Sequence, residues 1–183
     1  SFFYYFLVIN LSLKPMIFSF FNIKKNISYI AFNDLYSGIF NSQVLEVLKL
    51  YERNNISIRL ISFVSIRFFF LERRKIKKHY SHSFIIPIIF GLKYWSFYRF
   101  ILFFLIYNDK IVLCRGIFSA NLALISKRKK CKIIYDGRGA INAEQIEYGV
   151  YDNTGLENKI YNLEKRAVLE TDYRISVSNK LLN

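Results

Sequence analysis

Three charged residues in the second half of the chain have the types and the spacing for chemistry on phosphate, carboxylate and hydroxyl groups. Arg115 directly follows one apolar run, and Asp136 and Arg138 follow the next. A guanidinium group can hold a phosphate or a carboxylate through two parallel hydrogen bonds. A carboxylate can orient or deprotonate a hydroxyl group. These three side chains are therefore the first candidates for a ligand site.

A strand–helix–strand pattern is expected to position these side chains. The apolar run 110–114, the helical pattern 117–130 and the apolar run 131–135 predict a βαβ unit with parallel strands and a right-handed crossover. Both strand exits then lie at the same edge of the sheet, which is where ligands bind in open α/β sheets. We expect the Arg115-Gly116 corner and the loop 136–139 to face one crevice.

Each candidate also has a purely structural interpretation. Asp136-Gly137 is an ordinary turn sequence, and Arg138 could pair with Glu144 to fix the loop. Arg115 could form a similar ion pair. Position at the strand exits is the only independent support for a functional role.

The rest of the chain repeats the alternation of strands and helices. Predicted strands cover 27–32, 56–64, 83–89 and 173–177, and helical patterns follow Gly38, cover 94–107 and begin again at Thr154. The helix 94–107 is apolar nearly all round, as in a buried layer helix or one resting on a membrane. The glycine-containing stretch 137–153 reads as a long loop. The pattern predicts an α/β fold, a Rossmann-like three-layer sandwich with a mostly parallel sheet and helices on both faces.

The corner after the first strand is a second candidate binding element. Tyr36, Ser37 and Gly38 lie between this strand and the next helix, where backbone N–H groups and a helix N-terminus can face a phosphate. The chain has no GxGxxG sequence there, so a nicotinamide-binding domain is not expected. The simpler interpretation of Ser37-Gly38 is a turn and a helix N-cap.

Net charge is unevenly distributed. Residues 1–135 hold 21 Lys and Arg against 5 Asp and Glu (+16), whereas residues 136–183 hold 6 against 8 (−2). The positive electrostatic field of residues 1–135 attracts polyanions. The basic run 73–78 next to Phe68–Phe70 is a candidate contact with an anionic membrane. A solvated helix face is the alternative for this run. The nearby His79 and His82 have no acidic neighbour in sequence, so we predict no catalytic role for them.

Neither a metal site nor a cofactor is predicted. Cys114 and Cys131 lie in or beside apolar strands without further Cys or His at metal spacing, as expected for reduced core residues in a cytoplasmic protein. We expect 1–26 to be an N-terminal extension, with residues before Met16 not native. The sequence predicts that a new helix starts at Ser178, so we expect the chain to be a fragment of a longer protein.

Several short motifs carry a resemblance to a known family. Cys114-Arg115-Gly116, the run Tyr135-Asp136-Gly137-Arg138-Gly139 with Glu144 after it, and Ile175-Ser176-Val177-Ser178 occur in this order at strand ends. Together they resemble the N-terminal domain of family 4 glycosyltransferases of the GT-B type. The resemblance covers 27–183, which is then a single domain.

The resemblance implies retaining sugar transfer from a nucleotide-sugar donor to a glycan or lipid-linked acceptor. It implies that Asp136 and Arg138 are catalytic, and that substrates contact Arg115, Glu144 and the corner formed by Tyr36, Ser37 and Gly38. A C-terminal domain that binds most of the donor is absent. Relatives often carry a cleft histidine that this chain lacks, but in a front-side mechanism the leaving phosphate can accept the proton.

The expected localisation is cytoplasmic, with the inner face of the cell membrane as a candidate docking surface. Two other classes remain open at this stage. The first is a flavodoxin-like or receiver-like module without catalysis, although Asp34 alone does not form the acidic cluster that a receiver needs. The second is a nucleic-acid-binding protein, which the charge suggests but no recognition motif supports, so no nucleic-acid partner is predicted.

Overall fold

The computed structural model describes residues 26–90, 92–137 and 156–176. Within these ranges six parallel strands form one sheet in the order β3-β2-β1-β4-β5-β6. The strands are β1 (Ile27–Phe32), β2 (Arg59–Ser65), β3 (Ser83–Ile88), β4 (Ile111–Arg115), β5 (Lys132–Gly137) and β6 (Tyr173–Ser176). The fold is α/β and Rossmann-like, as the sequence predicted.

Helices cover both faces of this sheet. Helix α1 has three consecutive segments, Gly38–Phe40, a π-helical turn Asn41–Leu45, and Glu46–Arg53; it is followed by α2 (Phe69–His79), α3 (Arg99–Leu105), α4 (Gly116–Ser126) and α5 (Leu156–Glu170). Short 3₁₀ segments, Ile66–Phe68 and Leu92–Tyr98, precede α2 and α3. The described part of the chain is therefore a three-layer sandwich.

Two hydrophobic cores reflect this layering. On one face Tyr29 and Leu60 of the sheet pack with Leu48 of α1 and Ile76 of α2. On the other face, side chains of β1, β2 and β4 pack with α3, α4 and α5. Strands covered on both sides lose the polar alternation, and β2 is accordingly buried at every residue except its last.

The strand order reverses between β1 and β4. The chain moves outward from β1 through β2 to β3 and then crosses back to β4, so the helices that follow β1 and β4 lie on opposite faces of the sheet. Two residues with positive φ, Asn33 at 60° and Gly116 at 77°, turn the chain away at the ends of these strands. In such sheets the crevice outside these two carboxyl ends is the usual ligand position.

A buried ion pair joins the strands at the opposite, amino edge. Arg59 donates from Nη2 to both carboxylate oxygens of Asp109, at 3.1 and 3.0 Å, and to the Leu105 carbonyl at 2.6 Å. Nε and Nη2 also donate to Ser28 Oγ. The Arg59 and Asp109 side chains are only 5% and 1% exposed, so the pair is part of the core.

Several boundaries differ from the sequence prediction, including that of the predicted helix 117–130, which ends at Ser126, so the basic run 127–130 follows it. Asp136 and Gly137 belong to β5 and not to a loop, and β2 begins at Arg59, three residues later than predicted. The predicted helix 94–107 is a 3₁₀ segment followed by the shorter α3. The predictions for 1–25, for Arg138, Glu144 and most of the long loop, and for the final helix concern residues outside the described ranges.

None of the helices in 26–90, 92–137 and 156–176 has both the length and the apolarity that a membrane-spanning segment needs.

Candidate functional site

Arg115 occupies the carboxyl end of β4, next to the strand reversal. Its Nε donates to Asp34 Oδ2 at 2.9 Å, and its Nη2 donates to Gln43 Oε1 at 3.0 Å. Asp34 follows β1, and Gln43 lies in the π-helical turn of α1, a local widening that is often found at functional sites. Arg115 thus links β4 to the two elements on the other side of the crevice.

The guanidinium group of Arg115 retains hydrogen-bonding capacity. Its Nε and Nη2 edge is occupied by Asp34 and Gln43, whereas Nη1 is buried and has no hydrogen-bond partner in the described part of the chain. A buried donor without a partner is costly, which makes it a natural contact for a ligand oxygen. The carboxylate of Asp34 is 38% exposed, so this pair also borders solvent.

Asp136 is the neighbour of Arg115 in the sheet. The two residues are register partners on β4 and β5, and their side chains lie on the face covered by α1. Asp136 is 6% exposed, and the Tyr29 hydroxyl donates to its Oδ2 at 2.9 Å from β1. The predicted loop 136–139 is therefore wrong at Asp136, which is a buried strand residue that accepts a hydrogen bond from a tyrosine.

The neighbouring Tyr135 is an unsuitable proton acceptor. Burial, followed by the charges of Glu164 and Asp136, raises the pKa of its hydroxyl to about 12. The ring also lies 3.1 Å from where a Cβ at Gly137 would stand, so a larger residue there would require the ring to shift by a few tenths of an ångström. Tyr135 packs in the core on the opposite face of the sheet, whereas Asp136 contacts Tyr29 on the face covered by α1.

The corner after β1 is only partly as predicted. Ser37 is the N-cap of α1, and its Oγ accepts a hydrogen bond from Phe40 N at 3.1 Å, as in the simpler interpretation. A Cβ at Gly38 would meet nothing within 4 Å, and Gly38 does not have a positive φ. Neither crowding nor backbone conformation requires glycine there, so the open space above Gly38 is compatible with a ligand.

Tyr36 packs on α2. Its ring stacks on His79 at 5.4 Å between centroids, its hydroxyl lies 3.1 Å from His79 Nε2, and Lys75 Nζ lies 5.7 Å from the ring centre. The Tyr36 backbone N–H donates to the buried carboxylate of Glu72. These contacts fix the conformation of the corner but occupy much of the binding capacity predicted for Tyr36.

Four residues of this region were not predicted as site residues, namely Tyr29, Asp34, Gln43 and Glu72. The sequence could have indicated Glu72, because this residue lies between Phe69 and Ile76 on the apolar stripe of α2. A carboxylate buried at such a position needs a partner. The contact between Asp34 and Arg115 spans 81 positions and depends on strand order. Of the predicted site residues, Arg138 and Glu144 lie outside the described ranges.

The chain matches no family model and no curated protein. What the crevice can do is therefore inferred from its own side chains. In the described ranges, no three His, Cys, Asp or Glu side chains are placed to hold a metal ion. The crevice presents instead a partly buried guanidinium, a buried carboxylate and the first turns of α1 and α4.

Proposed function

We propose that this domain is the acceptor-side half of a retaining GT-B glycosyltransferase. It would act on a nucleotide-sugar donor and a glycan or lipid-linked acceptor, on the cytoplasmic face of the cell membrane. The observation that supports this most is the pairing of Arg115 with Asp136 in neighbouring strands beside the strand reversal. A cation for a phosphate and a carboxylate for a hydroxyl then lie in one crevice.

Arg115 would bind an anionic oxygen of the substrates. Asp34 and Gln43 hold two of its nitrogens, so the guanidinium is already oriented before a ligand arrives. Nη1 supplies the remaining donor. Preorganised donors cost little reorganisation when negative charge develops, which is the condition for electrostatic stabilisation of a departing phosphate.

Asp136 would orient the attacking hydroxyl of the acceptor. The acceptor oxygen forms a bond to the anomeric carbon on the face from which the nucleotide departs, and the bond from that carbon to the phosphate oxygen breaks. The hydroxyl proton passes to the departing phosphate oxygen, so the step does not depend on a histidine. Arg138 and Glu144, which follow β5 in sequence, remain the predicted catalytic and substrate-binding partners of Asp136 and Arg115.

The strand order favours this proposal over a flavodoxin-like or receiver-like module. Flavodoxin-like sheets have the order 2-1-3-4-5, whereas this sheet has the order 3-2-1-4-5-6. Asp34, which could have contributed to a receiver site, instead forms an ion pair with Arg115.

The proposal is tested by measuring sugar transfer with the enzyme that contains this domain, using a panel of nucleotide-sugar donors. Asp136→Asn preserves the shape of the side chain, and we expect it to lower kcat/KM by at least about tenfold, a loss of about 1.4 kcal/mol of transition-state stabilisation. Thermal unfolding checks that the fold persists. Glu170→Gln, an exposed carboxylate on α5, is the matched control. Transfer unaffected by Asp136→Asn would remove this residue from the site.

A further inference from the structure

Helix α3 exposes a large apolar stripe. Phe97, Phe100, Ile101 and Phe104 recur at helical spacing and are 61%, 59%, 43% and 71% exposed. The opposite side of the helix already packs into the core through Leu102 and Leu105. A surface helix normally presents polar residues to water. The packing of the described residues therefore leaves this second apolar side of α3 uncovered.

The stripe continues onto the corner of the sheet at the end of β3. Phe90, Tyr94 and Phe97 form a ring cluster with centroid distances of 5.9 to 6.4 Å. The chain leaves β2 and β3 side by side, since Ser65 pairs with Ile88. The exposed residues Phe68 and Phe90 follow these two strand ends, so both lie in segments that leave the sheet at the same corner. We call the set Phe90, Tyr94, Phe97, Phe100, Ile101 and Phe104 the aromatic surface.

The segment that carries the aromatic surface contains basic but no acidic residues. No Asp or Glu occurs between positions 89 and 108 of the sequence, and Asp109 is buried against Arg59. The Arg99 guanidinium lies 4.6 Å from the centre of the Phe100 ring. Arg128 lies 4.2 Å from the ring of Tyr107, which follows the aromatic surface in sequence, and belongs to the basic run 127–130. One cation therefore lies within the aromatic surface and another lies beside the ring that follows it.

We propose that the aromatic surface docks this protein on an anionic lipid bilayer. The phenylalanine rings would enter the boundary between head groups and acyl chains, and Arg99 and Arg128 would contact lipid phosphates. A second copy of the chain is a poorer occupant, because isologous pairing would place two basic patches against each other, and segment 89–108 has no Asp or Glu to neutralise them. The inference does not depend on sugar transfer, since it concerns contacts away from the crevice.

The sequence predicted a candidate membrane contact at the basic run of α2, next to Phe68–Phe70. In the structure α2 buries Phe69, Glu72 and Ile76, while Phe70 and Leu71 are 69% and 55% exposed beside its Arg and Lys side chains. We assign the larger apolar share of the contact to α3 and the segment before it, where the sequence allowed either a buried or a membrane-resting helix. The basic face of α2 adds long-range attraction to an anionic surface.

Flotation with lipid vesicles tests the inference. The full chain is mixed with vesicles of phosphatidylcholine alone or of phosphatidylcholine and phosphatidylglycerol in equal parts. We expect binding to the anionic vesicles and at least about tenfold weaker binding after Phe97→Ser combined with Phe104→Ser, because the buried ring area drives insertion. The matched control is Leu50→Ser combined with Leu169→Ser, which removes two side chains of similar exposure on α1 and α5 without effect on binding.

Charge variants separate the two components of binding. Arg99→Gln with Arg128→Gln should weaken binding to the anionic vesicles and reduce its salt dependence. Circular dichroism checks that every variant is folded.

The proposal is overturned if the wild-type chain does not bind anionic vesicles or if the double phenylalanine variant binds as well as the wild type. It is also overturned if sedimentation shows self-association that the double phenylalanine variant abolishes, because a second copy would then occupy the surface. Transfer to a water-soluble acceptor should be unchanged in these variants, which separates this inference from the proposed function.

Discussion

The two arginine–aspartate pairs of this sheet lie at opposite edges and differ in how fully their hydrogen bonds are satisfied. Arg59 and Asp109 close the amino edge, where the guanidinium contacts the carboxylate, a carbonyl and the Ser28 hydroxyl. Arg115 and Asp34 lie at the carboxyl edge, where Nη1 of the guanidinium has no partner among the described residues and the carboxylate is 38% exposed. The first pair is complete within the fold, and the second retains capacity for a ligand.

Burial explains the different energetic consequences of the two pairs. Burial raises the pKa of Asp109, and the contact with Arg59 opposes this shift, so the carboxylate depends on its partner to stay charged. Breaking such a pair from one side leaves an uncompensated charge in the core. At the carboxyl edge, water and Gln43 can compensate part of the loss. The amino-edge pair therefore stabilises the fold, and the carboxyl-edge pair is available for binding.

The largest expected effect comes from breaking the amino-edge pair. Arg59→Met removes the cation while keeping an apolar stem, and we expect a loss of about 3–5 kcal/mol in the free energy of unfolding, because Asp109 is left buried without its partner. Urea denaturation followed by circular dichroism measures this loss.

A double substitution provides the control for this prediction. Arg59→Met combined with Asp109→Leu removes both charges, and it should recover most of the stability that the single substitution loses. A single variant that loses less than about 1 kcal/mol would show that the pair is not a core element. The contrast between the two edges would then fail.

A smaller effect is expected from the backbone of the carboxyl edge. Gly116 has a φ of 77°, a conformation that side chains rarely adopt, so Gly116→Ala should cost about 1 kcal/mol of unfolding free energy. Gly38→Ala is the matched control, because its Cβ meets nothing and φ is not positive. This second change should leave stability unchanged or slightly raised.

The same pair of glycine variants tests whether the corner after β1 binds a ligand. If a ligand approaches the backbone at Gly38, Gly38→Ala lowers transfer without lowering the denaturation midpoint. If transfer and stability both remain unchanged, Ser37 and Gly38 act only as the start of α1. Equal destabilisation by both alanine variants would contradict the backbone geometry described for the two corners.

The sequence predicted those parts of the molecule that depend on local pattern. The apolar run 27–32 coincides with β1, and the βαβ unit around Arg115 has the predicted parallel strands. Continuous apolar runs and helical periodicity specify such elements because parallel strands are buried on both faces. The Arg115 corner and the end of β5 lie at the same edge because β4 and β5 are parallel neighbours.

Partners that depend on strand order could not be predicted in this way. Asp34 reaches Arg115 because β1 and β4 are neighbouring strands. Tyr29 reaches Asp136 because a single strand, β4, lies between β1 and β5. Strand order is a property of the packed sheet, not of any local window. The exposure of Phe104 is of the same kind, since an all-apolar helix does not reveal which side the core covers.

The most direct test of the contrast between the edges compares two arginine-to-lysine variants in sugar transfer by the enzyme that contains this domain. Lysine keeps the charge but loses the planar fork that lets Arg115 hold Asp34, Gln43 and a ligand oxygen together. We predict that Arg115→Lys lowers kcat/KM by at least about tenfold, whereas Arg59→Lys lowers stability and leaves kcat/KM of the folded enzyme within about twofold. Unchanged transfer in Arg115→Lys, or an equal loss in both variants, would contradict a ligand-binding role for the carboxyl-edge pair.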